Sequence, residues 1–412
     1  MDTSMTVLIV GGGAAGCIAA GAAARQGHTV TVIERNARPA RKVRITGKGR
    51  CNVTNNCPVD TFIQNVRHNG RFLYSALTAF SPQDMMALFE DMGIPLKTER
   101  GDRVFPCSDK AVDVVDGLVR YAREGGARFV QGRATALVLE DGACTGVRLE
   151  SGETLTADAV VIATGGCTYP GTGSTGDGYE LARQAGHTVT PLRPSLVGLQ
   201  SPDLFCLDMQ GLALKNCALQ VRDTQTDKVI YTDLGEMLFT HFGVSGPMIL
   251  SASVHMDDMA PGRYRLLIDW KPGLTPEQLD ARLLRDLAER ANMDLANALG
   301  KLLPRLSIPV LLRLAGLDPT KKCNAVTKAE RHSLAETVKA MPVRVDGFCP
   351  MAEAIVTAGG VSVKEVDART MRSKLVRGLY FAGEVLDVDA YTGGFNLQIA
   401  FSTGMAAGNH IE

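Results

Sequence analysis

The stretch from Thr6 to Arg35, TVLIVGGGAAGCIAAGAAARQGHTVTVIER, constrains this chain more than any other. An apolar run, Val7 to Val10, meets Gly11-x-Gly13-x-x-Gly16 and then an alanine-rich helical segment. A second apolar run, Thr29 to Ile33, ends in Glu34. Each part has a task in a strand–helix–strand unit that binds a dinucleotide. Gly11 permits the tight turn, Gly13 lets backbone approach a pyrophosphate, and Gly16 lets the helix lie close on the strand. Free N–H groups at the helix start then face the phosphate charge. Glu34 falls where a carboxylate can accept hydrogen bonds from ribose hydroxyls. A lone glycine pattern would be weak, but here strand, helix, second strand and acid all occur in order.

Length and composition bound the rest. At 412 residues more than one core is expected. Lys plus Arg balance Asp plus Glu, 44 against 44, which disfavours a general affinity for nucleic acid or an anionic membrane without excluding a local basic patch. The ten cysteines are scattered, with no CxxC pair and no zinc spacing, and read as reduced thiols. The first residues lack a basic n-region, and no apolar run reaches the length of a membrane span. A soluble, cytoplasmic protein acting on a small-molecule substrate is expected, with its oligomeric state open.

Along the chain, the first 190 residues alternate strand-like and helix-like segments. A basic, glycine-containing loop covers Arg41 to Asn56, and Arg71 to Met92 is in helical register. Arg128 to Leu139 and Gly146 to Leu149 flank the turn Asp141-Gly142. Ala159 to Thr164 is a buried strand running into Gly165-Gly166, and Asp177 to Ala185 reads as a helix. Short alternating runs at 218–222, 228–232 and 263–270 predict an inserted antiparallel β-domain over 191–271. Thr275-Pro-Glu-Gln278 and Thr327-x-x-Glu330 are capping boxes that start helices in a subdomain over 272–341. Residues 342–412 return to the first texture. The expected fold is therefore α/β, with a Rossmann-like domain made from both chain ends (1–190 and 342–412) around the insertions.

A Rossmann loop followed by an acid suits NAD and FAD equally. The C-terminal segment separates them: a strand delivers Gly383, Glu384 and Asp387, a glycine pair follows at 393–394, and a helix begins near Asn396. A flavin needs a carboxylate for its ribityl hydroxyls and helix N-terminal donors at its N1/O2 edge. The motifs GGGAAG (11–16), RKVRITGKGRCNVTN (41–55), ATGGCTYPGTGSTGDGY (163–179), THFGVSGP (240–247) and GEVLDVDAYTGGFNLQIAFSTG (383–404) resemble the bacterial NAD(P)/FAD-dependent oxidoreductases that include bile-acid dehydro-reductase and aminoacetone oxidase-like flavoproteins. That family is similar in turn to fumarate reductase flavoprotein subunits.

The resemblance implies an FAD domain, an inserted β-domain and a nested helical domain. It places Gly11, Gly13, Ala15 and Gly16 at the pyrophosphate, Glu34 at the adenosine ribose, and Arg35 and Lys42 beside the adenine end. Ala134 would meet adenine through its backbone. Arg50, Cys51 and Asn52 would approach the isoalloxazine, and Ala163, Thr164, Gly165 and Gly166 would line the dinucleotide. Gly383, Glu384 and Asp387 would hold the ribityl-phosphate, with Gly394, Phe395, Asn396 and Leu397 closing over N1/O2. FAD would be non-covalent, with NAD(P)H as electron donor.

His241, on a polar glycine turn, is a candidate proton donor, and Tyr169, Arg103 and Tyr391 are further pocket candidates. The second glycine pattern, Gly171 to Gly176, lacks a strand directly before it and an acid after it, so it reads as a loop near the flavin. Cys51 and Cys57 raise a redox pair, against which stands a packing or tuning role for Cys51. The histidine–arginine motif of fumarate reductases is missing. The reaction expected is NAD(P)H-driven reduction of a small acceptor such as a conjugated C=C bond. Oxidation of a small amine or hydroxyl compound by oxygen, tRNA modification and a non-catalytic flavin protein remain as alternatives.

Overall fold

β1 (Thr6–Val10) and β2 (Thr29–Glu34) are buried on both faces beyond their first residues, as strands covered on both sides are. They pair in parallel, Val7 opposite Val30 and Val10 opposite Ile33. β3 (Arg128–Gln131) extends the sheet beyond β2, and β4 (Ala159–Ile162) and β5 (Leu379–Phe381) extend it on the other side, giving the order β5-β4-β1-β2-β3. The strand order reverses at β1, so a crevice opens beyond the carboxyl ends of β1 and β4. The computed structural model describes residues Ser4–Glu412. The protein is an α/β protein with a Rossmann-like domain.

Helix α1 (Ala14–Arg25) is built of small residues because backbone crowds it on two sides. A Cβ at Gly16 would lie 1.9 Å from the Gly11 carbonyl oxygen, and one at Gly21 would lie 2.3 Å from the Tyr121 ring of helix α2 (Ala111–Gly125). Helix α3 (Phe395–Asn409) meets α1 equally closely: Cβ atoms at Gly404 and Gly408 would fall 2.5 Å from Ala15 O and 2.4 Å from Ala19 O. The last helix is thus fitted to the first, and the sheet is covered by both.

Local differences from the sequence reading have local causes. The helix expected over 71–92 divides into Tyr74–Ala79 and Pro82–Asp91, because Ser81 forms a capping box with Asp84 ahead of Pro82. The strand expected over 128–139 breaks at Gly132: its first part joins the parallel sheet, and Ala134–Glu140 pairs with Ala143–Leu149 across the Asp141-Gly142 turn.

The chain forms two compact units, one comprising residues up to Ser195 with Pro350–Glu412, the other Leu196–Cys349. The second unit is a seven-stranded sheet centred on Ala213–Asp223 and Lys228–Thr240. Both capping boxes form, at Thr275/Gln278 and Thr327/Glu330. The helices they start, Pro276–Glu289 and Lys328–Lys339, bury Leu283, Leu287, Leu334 and Val338 in one core with Leu219, Phe239 and Ile268 of the sheet. Residues 272–341, expected as a separate subdomain, therefore share the core of the β-sheet. Among the described residues, no helix is long and apolar enough to cross a membrane.

Candidate cofactor site

A long cleft lies at the crevice of the parallel sheet. Gly11, Gly13, Ala15, Glu34, Arg35, Lys42, Ala134, Ala163, Thr164, Gly165, Gly383, Glu384, Asn396 and Leu397 all line it. Gly11 sits at φ +103, and a Cβ there would lie 2.6 Å from Ala163 O, so the two loops after β1 and β4 touch through backbone. Gly13 differs. The nearest atom to a Cβ there is Ala163 O at 4.0 Å, so the glycine leaves room in the cleft rather than filling a packing need. Gly13 is also the N-cap of α1 and no side chain caps that helix, so its first N–H groups remain for an anion.

Glu34 is fixed before any ligand arrives. Gly12 N donates to Oε2 at 2.8 Å, and Asn36 donates to Oε1 from its backbone at 2.8 Å and its side chain at 2.7 Å. A carboxylate has about four lone-pair sites, so acceptor capacity remains for ribose hydroxyls. Beyond it, Arg35 and Arg133 both pair with Asp177, at 3.2 and 2.9 Å. Burial pushes the Asp177 carboxyl up, but hydrogen bonds from Arg133 and Thr175 and the two arginine charges hold it below its usual value. Thr172, Gly173 and Ser174 line the same cleft, so the second glycine pattern serves the first nucleotide fold.

The other end of the cleft is set by α3. Gly394 (φ +98) is its N-cap, again without a side-chain cap, and a Cβ there would lie 2.3 Å from the Thr54 backbone. The Asn396 side chain accepts from Ala390 N at 3.0 Å and donates to Ala390 O at 2.9 Å, bracing the loop at the cleft wall. Glu384 receives Lys42 Nζ at 2.8 Å and Thr357 N at 3.0 Å.

Several expected contacts fall elsewhere. Lys42 joins Glu384 and Thr168 rather than standing beside Arg35. Arg50 is ion-paired with Glu99 and Asp109 and lies over the Phe105 ring, 4.2 Å from its centroid, and is not part of the cleft wall. Cys51 is fully buried, and burial pushes its thiol up to about 12. Asn52 Oδ1 is buried without a hydrogen-bond partner. Gly16 and Gly166 answer to packing, the latter against Thr357 and Glu384.

Val388, not Asp387, lines the cleft; burial raises the Asp387 carboxyl, and Thr190 and Asn69 hydrogen-bond it. Phe395 packs edge-on against Phe62, with centroids 5.0 Å apart. Tyr169 (φ +52) anchors the 169–172 turn through its backbone, and Arg103 is exposed and bonds Arg100 O; neither lines the cleft. His241 belongs to the other unit, exposed and edge-on to Phe242. Asn36 and Arg133 were missed by the sequence reading, although each adjoins a residue it singled out.

The cleft fits an extended dinucleotide: an acid for a ribose, open backbone at Gly13, and two uncapped helix N-termini. The likeness to known proteins spans nearly the whole chain. Residues 5–410 match the family described as HI0933-like protein Rossmann domain.

The chain belongs to that family.

It is 31% identical over 408 residues to the ribosomal RNA dihydrouridine synthase of Escherichia coli K12, covering 98% of this chain and 97% of that protein. It is 32% identical over 410 residues to the 3-dehydro-bile acid delta(4,6)-reductase of Clostridium scindens, covering 97% of each. In fold it is similar to the 3-ketosteroid delta1-dehydrogenase of Sterolibacterium denitrificans, with a TM-score of 0.53, 14% identity and 99% of each chain covered. The family is one of FAD-dependent oxidoreductases, and the residues of the cleft fit the flavin cofactor.

Proposed function

We propose that this chain uses NAD(P)H to reduce a carbon–carbon double bond conjugated to a carbonyl. The observation that carries this is chemical agreement between two relatives of near-full coverage. Dihydrouridine differs from uridine by saturation of a C=C bond conjugated to a ring carbonyl, and a 3-dehydro delta(4,6) compound also carries C=C bonds conjugated to its ketone. One reaction class covers both.

Bound in the cleft, a flavin supplies hydride transfer between a nicotinamide and the β-carbon of such an acceptor. The chain's own residues do the rest. The uncapped first turn of α3 presents N–H donors to negative charge. Asn396 holds that turn against Ala390, and Glu384 is held in place by Lys42 and Thr357 N. All ten cysteines are free thiols, in keeping with a reducing, cytoplasmic setting.

Anaerobic mixing with NADH and with NADPH, followed at the flavin band near ~450 nm, tests the reading. Bleaching by one of them, reversed by a conjugated enone, is the expected result. No bleaching by either, with flavin bound, would turn the assignment toward an oxidase.

A further inference from the structure

Near the α3 end of the cleft, four polar side chains form a hydrogen-bonded relay that the cofactor site does not use. Ser195 Oγ donates to Asp389 Oδ2 at 2.9 Å, and Asp389 Oδ1 meets His68 Nδ1 at 2.5 Å. Arg193 Nη2 meets His68 Nε2 at 3.1 Å. Ser195 and Asp389 are buried, whereas the His68 side chain is 28% exposed and Arg193 is half-buried. The relay thus runs from the interior outward and ends on a guanidinium.

Strand pairing sets it against the cleft. Asp389–Ala390 lies antiparallel to Val66–His68, with Asp389 opposite His68. Arg193–Ser195 lies antiparallel to Val356–Ala358, with Ser195 opposite Val356. Val356 lines the cofactor cleft, and so does Val388, the residue before Asp389. Ala390 is the residue that the Asn396 side chain braces at the first turn of α3. On two strands, therefore, the relay stands one residue from the cleft wall.

A guanidinium N–H can only donate. His68 Nε2 therefore accepts from Arg193, and the ring proton lies on Nδ1, facing Asp389. Asp389, taken out of water, is satisfied by that N–H and by the Ser195 hydroxyl. The imidazole between them orients the arginine, takes one of its five donors and leaves its charge uncancelled. A planar, permanently charged fork held at a fixed angle suits an oxygen that becomes negative.

We propose that Arg193 binds the carbonyl oxygen of the conjugated acceptor, with His68 and Asp389 as its positioning residues. This rests on the reductase reading above and assigns the group that meets the acceptor. As the β-carbon takes up hydride, the C=C electron pair shifts to the bond between the α-carbon and the carbonyl carbon. The carbonyl pair moves onto oxygen, and Arg193 holds the charge of the resulting enolate. Water then protonates the α-carbon and the carbonyl re-forms. The acceptor gains two electrons and NAD(P)H loses them.

The test uses the FAD-loaded protein and two probes: 4-nitrophenol, whose phenolate is a stable oxyanion, and 2-cyclohexen-1-one, a conjugated enone. The wild type should bind 4-nitrophenol with the phenol pKa lowered, because a neighbouring cation favours the charged form. Arg193→Met should bind the phenolate about 10-fold more weakly, the size of one hydrogen bond to a charged group, and lose that pKa shift. Protein reduced with dithionite, which leaves the coenzyme out, should be reoxidised by the enone about 100-fold more slowly in this variant. Arg193→Lys, which keeps the charge without the fork, should lose less and serves if the methionine variant does not fold. His68→Gln can keep an acceptor for Arg193 and should retain most of the rate, whereas His68→Leu should lose about 10-fold. Asp389→Asn should fall between the wild type and Arg193→Met.

No phenolate binding by the wild type overturns the proposal, as does an Arg193→Met protein that binds phenolate and reacts with the enone like the wild type. So does equal loss in His68→Gln and His68→Leu, or a loss of rate that only follows a loss of flavin, since the relay would then merely support the cleft. Arg193-dependent phenolate binding without reoxidation by the enone would refute the reductase reading and leave the arginine assigned to an oxyanion.

Discussion

Lys42 and Glu384, 342 residues apart in sequence, meet at 2.8 Å, with the lysine also donating to the Thr168 hydroxyl at 2.7 Å. Their side chains are 24% and 19% exposed, so each leaves most of its water behind and relies on the other. The pair ties the loop after β2 to the loop after β5, the two sides of the cleft.

Lys42→Met should leave the Glu384 carboxylate without its cation and loosen that tie. The expected outcome is about 10-fold weaker FAD retention, equivalent to about 1.4 kcal/mol, measured by flavin release on dilution. The double variant with Glu384→Gln should recover part of the loss, because no uncompensated charge then remains. Equal losses in the single and double variants would show that the pair does not act as a unit.

Gly13 and Gly16 should separate cofactor binding from folding. At Gly13 a Cβ meets nothing closer than 4.0 Å and φ is −81, so Gly13→Val should fold while blocking the cleft. At Gly16 a Cβ would stand 1.9 Å from Gly11 O, so Gly16→Val should fail to accumulate as folded protein. Flavin absorbance and circular dichroism of the two purified variants check both statements. A flavin-replete Gly13→Val protein would remove Gly13 from the pyrophosphate site.

His187 should make the protein acid-sensitive. Its side chain is fully buried, with Nε2 2.7 Å from Ser373 Oγ and the ring edge-on to Phe381. Burial lowers its pKa below the usual 6.5, and the Glu365 carboxylate opposes the shift without cancelling it. Below about pH 6.5 the unfolded chain takes up a proton that the native site resists. This contribution is complete above that pH and is lost as pH falls through the lowered native value. The urea midpoint should therefore drop between about pH 7 and pH 5.5, and His187→Gln should flatten that drop. A wild-type midpoint constant over this range would contradict the assignment.

Cys51 and Cys57 should take no part in electron transfer. Both are free, and burial pushes their thiols up to about 12 and about 11. Neither is a thiolate at neutral pH, so alkylation of the native protein should be slow at both. Cys51→Ala should keep flavin bleaching by NAD(P)H within about 3-fold of wild type. A large loss of that rate, with flavin still bound, would restore the redox-pair reading.

The β1–α1–β2 unit was legible because its signals are local: glycine spacing, an alanine-rich helix and an acid at the end of the second strand. The two capping boxes of the second unit were legible for the same reason. Contacts between distant segments were not. Arg50 stands in a motif that also supplies cleft residues, yet its guanidinium is taken by Glu99 and Asp109, which no short pattern announces. Asp387 was expected at the ribityl-phosphate, but the chain bends there, and it is the next residue, Val388, that lines the cleft.

The seam between α1 and α3 has a consequence for how the protein is made. The nucleotide fold begins with its first strand, but α3 supplies one end of the cleft and packs Gly404 and Gly408 onto the backbone of α1. A nascent chain on the ribosome can form the glycine loop early, yet it cannot finish the cleft until residues 395–409 have been translated and released. Cofactor capture is thereby deferred to the end of synthesis. Chains stopped short of α3 should remain colourless and exposed to proteases, so holoprotein forms from completed polypeptides.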